Sequence, residues 1–158
     1  MFDWLKRQRS SRGFGIHSPF AYNFVLNVLR ERYPYYAYDE IVERDHRLLY
    51  RIALSLCPSE IRGNSVPREV IRNLPSTSRN RAKGSFPLYV ITRDTPVASV
   101  EIHAPFAALF LDIDAEMRKR LRRLTDSMDG YGMVFSNPRR AVVVADRDLP
   151  RQNFSINF

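Results

Sequence analysis

Cysteine is almost absent from this sequence, which contains one, Cys57, among 158 residues. A single cysteine excludes an intrachain disulfide and any metal site that needs several thiolates. Histidine is nearly as scarce, and His17, His46 and His103 do not stand at the spacing of a metal motif. The six glycines form no phosphate-binding loop, and no H-E-x-x-H or paired C-x-x-C motif occurs. The sequence therefore contains no complete catalytic or cofactor motif.

Acidic residues are outnumbered by basic ones, 17 to 25, which gives a formal net charge of +8. Such a charge favours association with nucleic acid, anionic lipid or an acidic partner. The basic residues are grouped, and two groups are candidate contacts for nucleic acid or another anion. These are Arg79, Arg81 and Lys83 in a polar loop at 76–85, and Arg118, Lys119, Arg122 and Arg123 on a predicted helix that also contains Arg120. A further basic group, Lys6, Arg7, Arg9 and Arg12, lies near the N-terminus.

Long apolar runs are also missing, so the sequence predicts no membrane span. The basic N-terminus lacks the apolar core and cleavage site of an export signal, and we expect a cytoplasmic protein. The length and the hydrophobic content of 44% suit one domain. Within it, we expect a helical segment at 1–57 to pack on an α/β region at 58–158.

The most distinctive stretch is GFGIHSPFAYNFV, Gly13 to Val25. Ser18 followed by Pro19 predicts a helix start, because the serine hydroxyl can cap a backbone N–H and proline suits the first helical position. An apolar stripe then recurs at helical spacing. His17 lies just outside this cap, where we expect the ring to pack or hydrogen-bond at the helix end rather than to bind a metal or act in catalysis.

A second helix is predicted from Asp39, a favourable N-cap residue, to Leu56, where Pro58 stops it. The aromatic run YPYYAY, Tyr33 to Tyr38, lies between the two helices. Its rings could stack on nucleic-acid bases or cover the core. Aromatic clusters beside helices usually pack, and packing is our interpretation.

Beyond Pro58 the pattern alternates between strands and helices. A strand end or turn and then a helix, entered through Ser65 and Pro67, are predicted over 60–74. Short apolar runs predict buried strands at Leu88–Thr92 and Ala107–Ile113. The predicted C-terminal strands are antiparallel and comprise Tyr131–Ser136, Ala141–Ala145 and Asn153–Phe158. This order predicts an α/β fold with a mixed sheet that has an antiparallel C-terminal end.

Two acidic residues flank the end of the second predicted strand. Asp112 and Asp114 could serve as a general base or as metal ligands. Asp114 is already accounted for as the N-cap of an amphipathic helix with Met117, Leu121, Leu124 and Met128 on its apolar side.

Both ends of the chain resemble one family. The GFGIHSPFAYNFV segment, the later YY pair and RLLYRIA helix, and the final RQNFSINF are similar to class I S-adenosylmethionine-dependent methyltransferases of Bacteroidetes. The segment LFLDIDAEM, Leu109 to Met117, also resembles a strand and helix entrance late in that domain. The resemblance implies two helices followed by a Rossmann-like domain, with S-adenosylmethionine as the cofactor of an active member.

The middle of the chain departs from that pattern. Such an enzyme needs a glycine-rich turn after its first strand and an acidic residue after its second, to hold the cofactor's ribose. In EIRGNSVP, Arg62 stands at the first glycine position, Gly63 is displaced by one, and Val66 stands at the second glycine position. If a cofactor bound, Glu60, Gly63 and Asp94 would be its contacts. The short chain that follows leaves too little sequence for the further βα units of a complete domain.

We therefore interpret the protein as a shortened, non-catalytic methyltransferase-like scaffold that binds no cofactor and acts through a macromolecular partner. An active methyltransferase with an atypical cofactor loop is one alternative. A basic nucleic-acid-binding module is another. Because part of a parental sheet would be missing, its apolar faces need cover from the N-terminal helices or from a second copy. We expect either a small self-sufficient core or a homodimer.

Overall fold

The computed structural model describes residues 2–10, 12–13, 15–64, 66–75, 86–96 and 103–158, with backbone alone at 2–4 and 6. The predicted basic loop with Arg79, Arg81 and Lys83 lies outside these residues, as does Ser65. The helices are α1 (Phe2–Ser10), α2 (Pro19–Phe24), α3 (Arg44–Leu56), α4 (Arg68–Asn73) and α5 (Ala115–Asp126). A π-helical segment spans Val25–Leu29 and a 3-10 turn spans Tyr36–Asp39. The strands are β1 (Ile61–Arg62), β2 (Leu88–Ile91), β3 (Phe106–Phe110), β4 (Met133–Ser136), β5 (Ala141–Ala145) and β6 (Gln152–Ser155).

These strands form one six-stranded sheet in the order β1-β2-β3-β5-β4-β6. The pairs β1–β2 and β2–β3 are parallel, and β5 is antiparallel to both of its neighbours, β3 and β4. The predicted α/β fold with a mixed sheet is confirmed. The prediction of an antiparallel C-terminal end is wrong for the last strand, because β6 runs parallel to β4. After β5 the chain crosses to the far side of β4, so β6 enters the sheet in the direction of β4.

Helices cover both faces of the sheet. Strands β2, β3 and β5 are buried along their whole length, as expected for apolar runs covered on two sides. On one face, Leu88 and Leu109 belong to a core with Leu49 and Ile52 of α3. On the other face, the core includes Met117 of α5 and the strand residues Tyr89, Phe110, Val134 and Val143. The result is a layered arrangement of helix, sheet and helix.

The opening helix begins where the sequence predicts. Ser18 Oγ accepts a hydrogen bond from the Ala21 N–H at 3.3 Å, and Pro19 is the first helical residue. His17 is exposed, and its ring makes no hydrogen bond within the described residues, so the expected hydrogen bond to the helix end is not formed.

Replacing Ser18 with alanine should lower the free energy of unfolding by about 1 kcal/mol, because the cap of α2 is lost. Urea unfolding followed by circular dichroism measures the change. Ser55→Ala is the matched control: this exposed serine lies inside α3, where alanine favours the helix, and no loss is expected. Equal losses in the two variants would contradict the capping role of Ser18.

The second helix begins at Arg44 rather than at Asp39, which corrects the predicted start. Arg47 Nε donates to the Ile41 carbonyl at 2.6 Å, and Arg47 Nη2 donates to the Tyr38 carbonyl at 3.1 Å. In a helix that began at Asp39, these carbonyls would instead accept backbone N–H groups four residues later in the chain. The guanidinium thus holds a non-helical bend that places Ile41 in the core. The predicted end at Leu56 is confirmed.

The aromatic run is divided between the core and the surface. Tyr35 and Tyr38 pack edge-on against Tyr50 of α3, at ring-centroid distances of 5.8 and 6.2 Å. Burial raises the pKa of Tyr35 and of Tyr50. Tyr33 and Tyr36 are 63% and 95% exposed. The packing interpretation is confirmed for Tyr35 and Tyr38 and is wrong for Tyr36.

A row of four phenylalanines joins the opening helix to the last strand. Phe20 stacks on Phe24 at 5.5 Å, and Phe24 lies 5.1 Å from Phe135 of β4. Phe135 stacks on Phe154 of β6, also at 5.1 Å. The two segments that carry the family resemblance therefore meet through the same ring in the core.

An arginine-rich groove at the sheet edge

Two of the three residues predicted to bind a cofactor lie at the carboxyl ends of β1 and β2, whereas the third, Glu60, comes before β1. Gly63 follows β1, and Asp94 lies in the turn after β2. Asn64 Nδ2 donates to the Asp94 carbonyl at 3.1 Å, so the two turns are in contact. This is the edge at which open α/β sheets bind ligands.

The end of β1 and the turn that follows it contact Glu60 and the neighbouring strand β2. A Cβ atom added at Gly63 would lie 2.6 Å from the Val90 carbonyl oxygen and 3.0 Å from Val90 Cβ. The absence of a side chain at Gly63 thus allows close contact with β2. Arg62 Nη2 lies 2.5 Å from Glu60 Oε1, and the hydrogen bond from Arg62 lowers the pKa of the Glu60 carboxyl. The Arg62 guanidinium also lies 5.9 Å from the centroid of the Tyr89 ring.

The order of the strands bears on the same site. In a doubly wound sheet, the cofactor crevice lies where the strand order reverses. Here the order runs from β1 through β2 to β3 in one direction, and β2 is the only described strand that pairs with β1. The described residues therefore do not form such a reversal beside Gly63.

Asp112 and Asp114, the acidic pair after β3, do not belong to a metal centre within the described residues. Asp114 Oδ1 accepts the Met117 N–H at 2.8 Å as the cap of α5, and Oδ2 lies 3.1 Å from Arg93 Nη2. The Met117 N–H, and then the charge of Arg93, hold the pKa of the Asp114 carboxyl below its ordinary value. Asp112 is exposed, with a left-handed φ of 52°. Within the described ranges, no group of three or more His, Cys, Asp or Glu residues is placed to hold a metal ion.

Four of the predicted anion contacts lie on α5. Arg118, Lys119, Arg122 and Arg123 are exposed on this helix. Lys119 lies 3.4 Å from Glu116, which neutralises part of the charge. Arg120 differs, because its Nη1 donates to the Thr95 carbonyl at 2.8 Å and ties α5 to the turn after β2.

A different basic site, which the sequence analysis did not predict, lies at the carboxyl ends of β4 and β6. It is a groove of about 870 Å³ between α1, the residues after the π-helical segment, the first turns of α3 and the β4–β5 turn. Among the described lining residues, Glu31 is the one acidic residue and none is a lysine. The lining arginines are Arg7, Arg30, Arg32, Arg44, Arg47, Arg51, Arg139 and Arg140.

Two of these arginines serve the fold. Arg51 Nε donates to the Val28 carbonyl at 2.7 Å, and its Nη1 donates to the Tyr38 hydroxyl at 3.0 Å. Arg51 thus bonds a carbonyl near the end of the helical segment, where helical partners run out. Arg47 holds the bend before α3 and lies 4.7 Å from the Tyr38 ring centroid.

Arg140 fixes the β4–β5 turn to the start of α3. It forms an ion pair with Asp45, and the two side chains are only 14% and 28% exposed. Its Nη1 also donates to the Phe158 carbonyl at 3.2 Å. Asn137 Oδ1 accepts the backbone N–H groups of Arg139 and Arg140, both at 2.9 Å, which closes the turn.

Arg32, Arg44 and Arg139 differ from Arg47, Arg51 and Arg140 because the described part of the fold does not use their guanidinium groups. All three are exposed, and within the part of the chain that the structure describes their guanidinium groups make no hydrogen bond or ion pair. They come from three separate places: the residues after the π-helical segment, the first position of α3 and the β4–β5 turn. The groove thus combines arginines held by the fold with arginines whose donors are unused.

The fold and the groove together define a mixed α/β protein with a basic site at the carboxyl edge of its sheet. No protein-family model matches the chain, and neither a curated protein nor a solved structure matches it. Among the described helices, none is both long enough and apolar enough to cross a membrane.

Proposed function

We propose that the protein is a non-catalytic, methyltransferase-like scaffold that acts by binding a macromolecular partner. The observation that carries this proposal is the turn after β1. Arg62 stands where the resemblance calls for glycine and pairs with Glu60, while Gly63 is pressed against Val90 of β2. A cofactor needs close backbone approach at this turn, and a side chain as large as arginine opposes it.

The topology supports the same proposal. Parallel strands β1, β2 and β3 in spatial order agree with one half of a Rossmann-like sheet, counted outward from its first strand. The strands expected on the other side of the first strand have no counterpart among the described residues. A sheet reduced in this way would retain the scaffold and lose one wall of the cofactor crevice.

Excess S-adenosylhomocysteine is expected to leave the melting temperature of the purified chain unchanged. A ligand at a hundredfold over its Kd would add about 2.7 kcal/mol of stability. In a domain of this size, that corresponds to a rise of roughly 5 to 10 °C. A differential scanning fluorimetry melt measures the shift, with an active class I methyltransferase as the positive control.

A rise of several degrees would overturn the non-catalytic proposal and favour an active methyltransferase with an atypical loop. In that case Glu60, Gly63 and Asp94 become the first positions to substitute. An Arg62→Gly variant tested in parallel shows whether this side chain is what opposes the cofactor, because binding by the variant alone would assign the loss to Arg62.

The nucleic-acid-binding alternative is favoured by one observation, the exposed basic side of α5. Binding of this kind should weaken steeply with salt, with a slope set by the phosphates neutralised. The homodimer also stays a prediction. The helices on both faces of the sheet support the other expectation, a self-sufficient core.

A further inference from the structure

We propose that the arginine-rich groove binds a small ligand with several phosphate groups. This site is separate from the one considered for S-adenosylmethionine. The groove lies at the carboxyl ends of β4 and β6, whereas Gly63 and Asp94 lie beyond β1 and β2, on the other side of β3 and β5. The inference therefore does not depend on the methyltransferase-like proposal.

The position in the fold favours a ligand site. Strands β4 and β6 are parallel, so their carboxyl ends meet at one edge of the sheet. Residues that follow each of them, Asn137 to Arg140 and Asn157 to Phe158, line the groove. Crevices outside the carboxyl ends of strands are where open α/β sheets bind their ligands.

The charge of the groove identifies the chemistry of the ligand. The cationic residues that line it in the described part of the chain are all arginines, whose planar guanidinium matches phosphate oxygens through paired hydrogen bonds. Glu31, the one acidic residue in the described lining, accepts the backbone N–H groups of Arg32 and Tyr33 at 2.6 and 2.7 Å. That carboxylate is thus used within its own loop. Asp45, close to the groove, is paired with Arg140.

The available donors indicate more than one phosphate group. Arg32, Arg44 and Arg139 have unused donors on three different walls, so a single phosphate held by one of them leaves the others unsatisfied. A volume of about 870 Å³ is that of a site for a whole small molecule rather than for one anion. α3 also begins at the groove, and the positive end of its dipole adds to the field there.

The fold holds this arrangement in place before any ligand binds. Arg47, Arg51 and Arg140 are tied to backbone carbonyls or to Asp45, so the walls keep their relative positions. The cluster of like charges that results is unfavourable in the free protein, and an anion in the groove relieves that repulsion.

Isothermal titration with inorganic tripolyphosphate tests the proposal, with orthophosphate at the same ionic strength for comparison. We expect tripolyphosphate to bind and to raise the melting temperature, and orthophosphate to bind far more weakly. Arg44→Gln and Arg139→Gln should each weaken tripolyphosphate binding about tenfold, because each removes a charge-assisted hydrogen bond. Arg118→Gln and Arg122→Gln on α5 are the matched controls, with the same charge change and no expected effect.

Two outcomes would overturn the proposal, and an oligonucleotide-binding measurement then identifies the alternative. Tripolyphosphate could fail to bind the parent protein. The α5 variants could weaken binding as much as the groove variants, which would indicate attraction by net charge alone. A single-stranded oligonucleotide could bind while tripolyphosphate does not, which would indicate a nucleic-acid surface. Because all four substituted arginines are exposed, the variants should fold, and their melting curves check this directly.

Discussion

Replacement of Phe135 by alanine is expected to lower the free energy of unfolding by about 3 to 5 kcal/mol. Phe135 is fully buried, and its ring lies 5.1 Å from the rings of both Phe24 and Phe154. Its loss leaves a cavity between the opening helix and the last strand. The melting temperature should fall by roughly 6 to 20 °C in a domain of this size.

Urea unfolding, followed by both circular dichroism and tyrosine fluorescence, measures this change. Phe135→Leu is the control, because leucine fills most of the space and should cost less than about 1.5 kcal/mol. A double-mutant cycle with Phe24→Ala should give a coupling of about 0.5 to 1.5 kcal/mol between the two rings. A loss below about 1 kcal/mol for Phe135→Ala would mean that the row of phenylalanines does not hold the two ends together.

Replacement of Gly132 by alanine should also lower the free energy of unfolding strongly, by about 3 kcal/mol. Gly132 has a left-handed φ of 84°, and an added Cβ would meet the end of the flexible Met128 side chain and would lie 2.9 Å from the Val144 carbonyl oxygen and 3.2 Å from Ala145 Cα. The backbone there is held on both sides, because the Gly132 N–H donates to Leu149 and its carbonyl accepts from Gln152. The backbone strain of about 1 to 2 kcal/mol is therefore joined by a steric cost of about 1 to 3 kcal/mol.

Gly130 provides the matched control two residues away. Its φ is 74°, and an added Cβ would meet no atom within 4 Å. Gly130→Ala should therefore show only the backbone strain, about 1 to 2 kcal/mol. The difference between the two variants in urea unfolding measures the steric cost at Gly132, which comes from the β5 backbone and the Met128 side chain. Equal losses would show that the turn moves to accommodate the methyl group.

Local signals in the sequence predicted the elements that depend on local chemistry. The Ser18-Pro19 pair marked the start of α2, and Asp114 marked the start of α5. Apolar runs marked β2 and β3, because a strand buried on both faces needs no polar residue. Each of these signals depends on residues within a few positions of one another.

Features that depend on distant residues were missed. The start of α3 is set by Arg47, whose side chain donates hydrogen bonds to the carbonyls of Tyr38 and Ile41. Prediction of a helix start from its N-cap residue does not account for such a bond. The direction of β6 depends on the connection after β5, which crosses β4 to its far side. The turn residues in the sequence do not indicate this crossing.

The groove was missed for a related reason. Consecutive basic residues are visible in the sequence itself, and they mark the cluster on α5. Arg32, Arg44 and Arg139 are single positions far apart in the chain, and only the fold brings them together. The arginines between 30 and 51 were the available signal, since Arg44, Arg47 and Arg51 recur at the spacing of one helix side.

The place of β5 in the sheet also has a consequence for synthesis on the ribosome. β3 and β4 do not pair with each other, and β3 completes its hydrogen bonds only with β5, which is made after both strands. The nascent chain therefore presents an open apolar edge on β3 until β5 emerges, an interval of a few seconds at ordinary elongation rates. An exposed edge of this kind can pair with another chain. Translation speed between β3 and β5, and chaperone binding in that interval, should therefore govern how much of the protein reaches the native state.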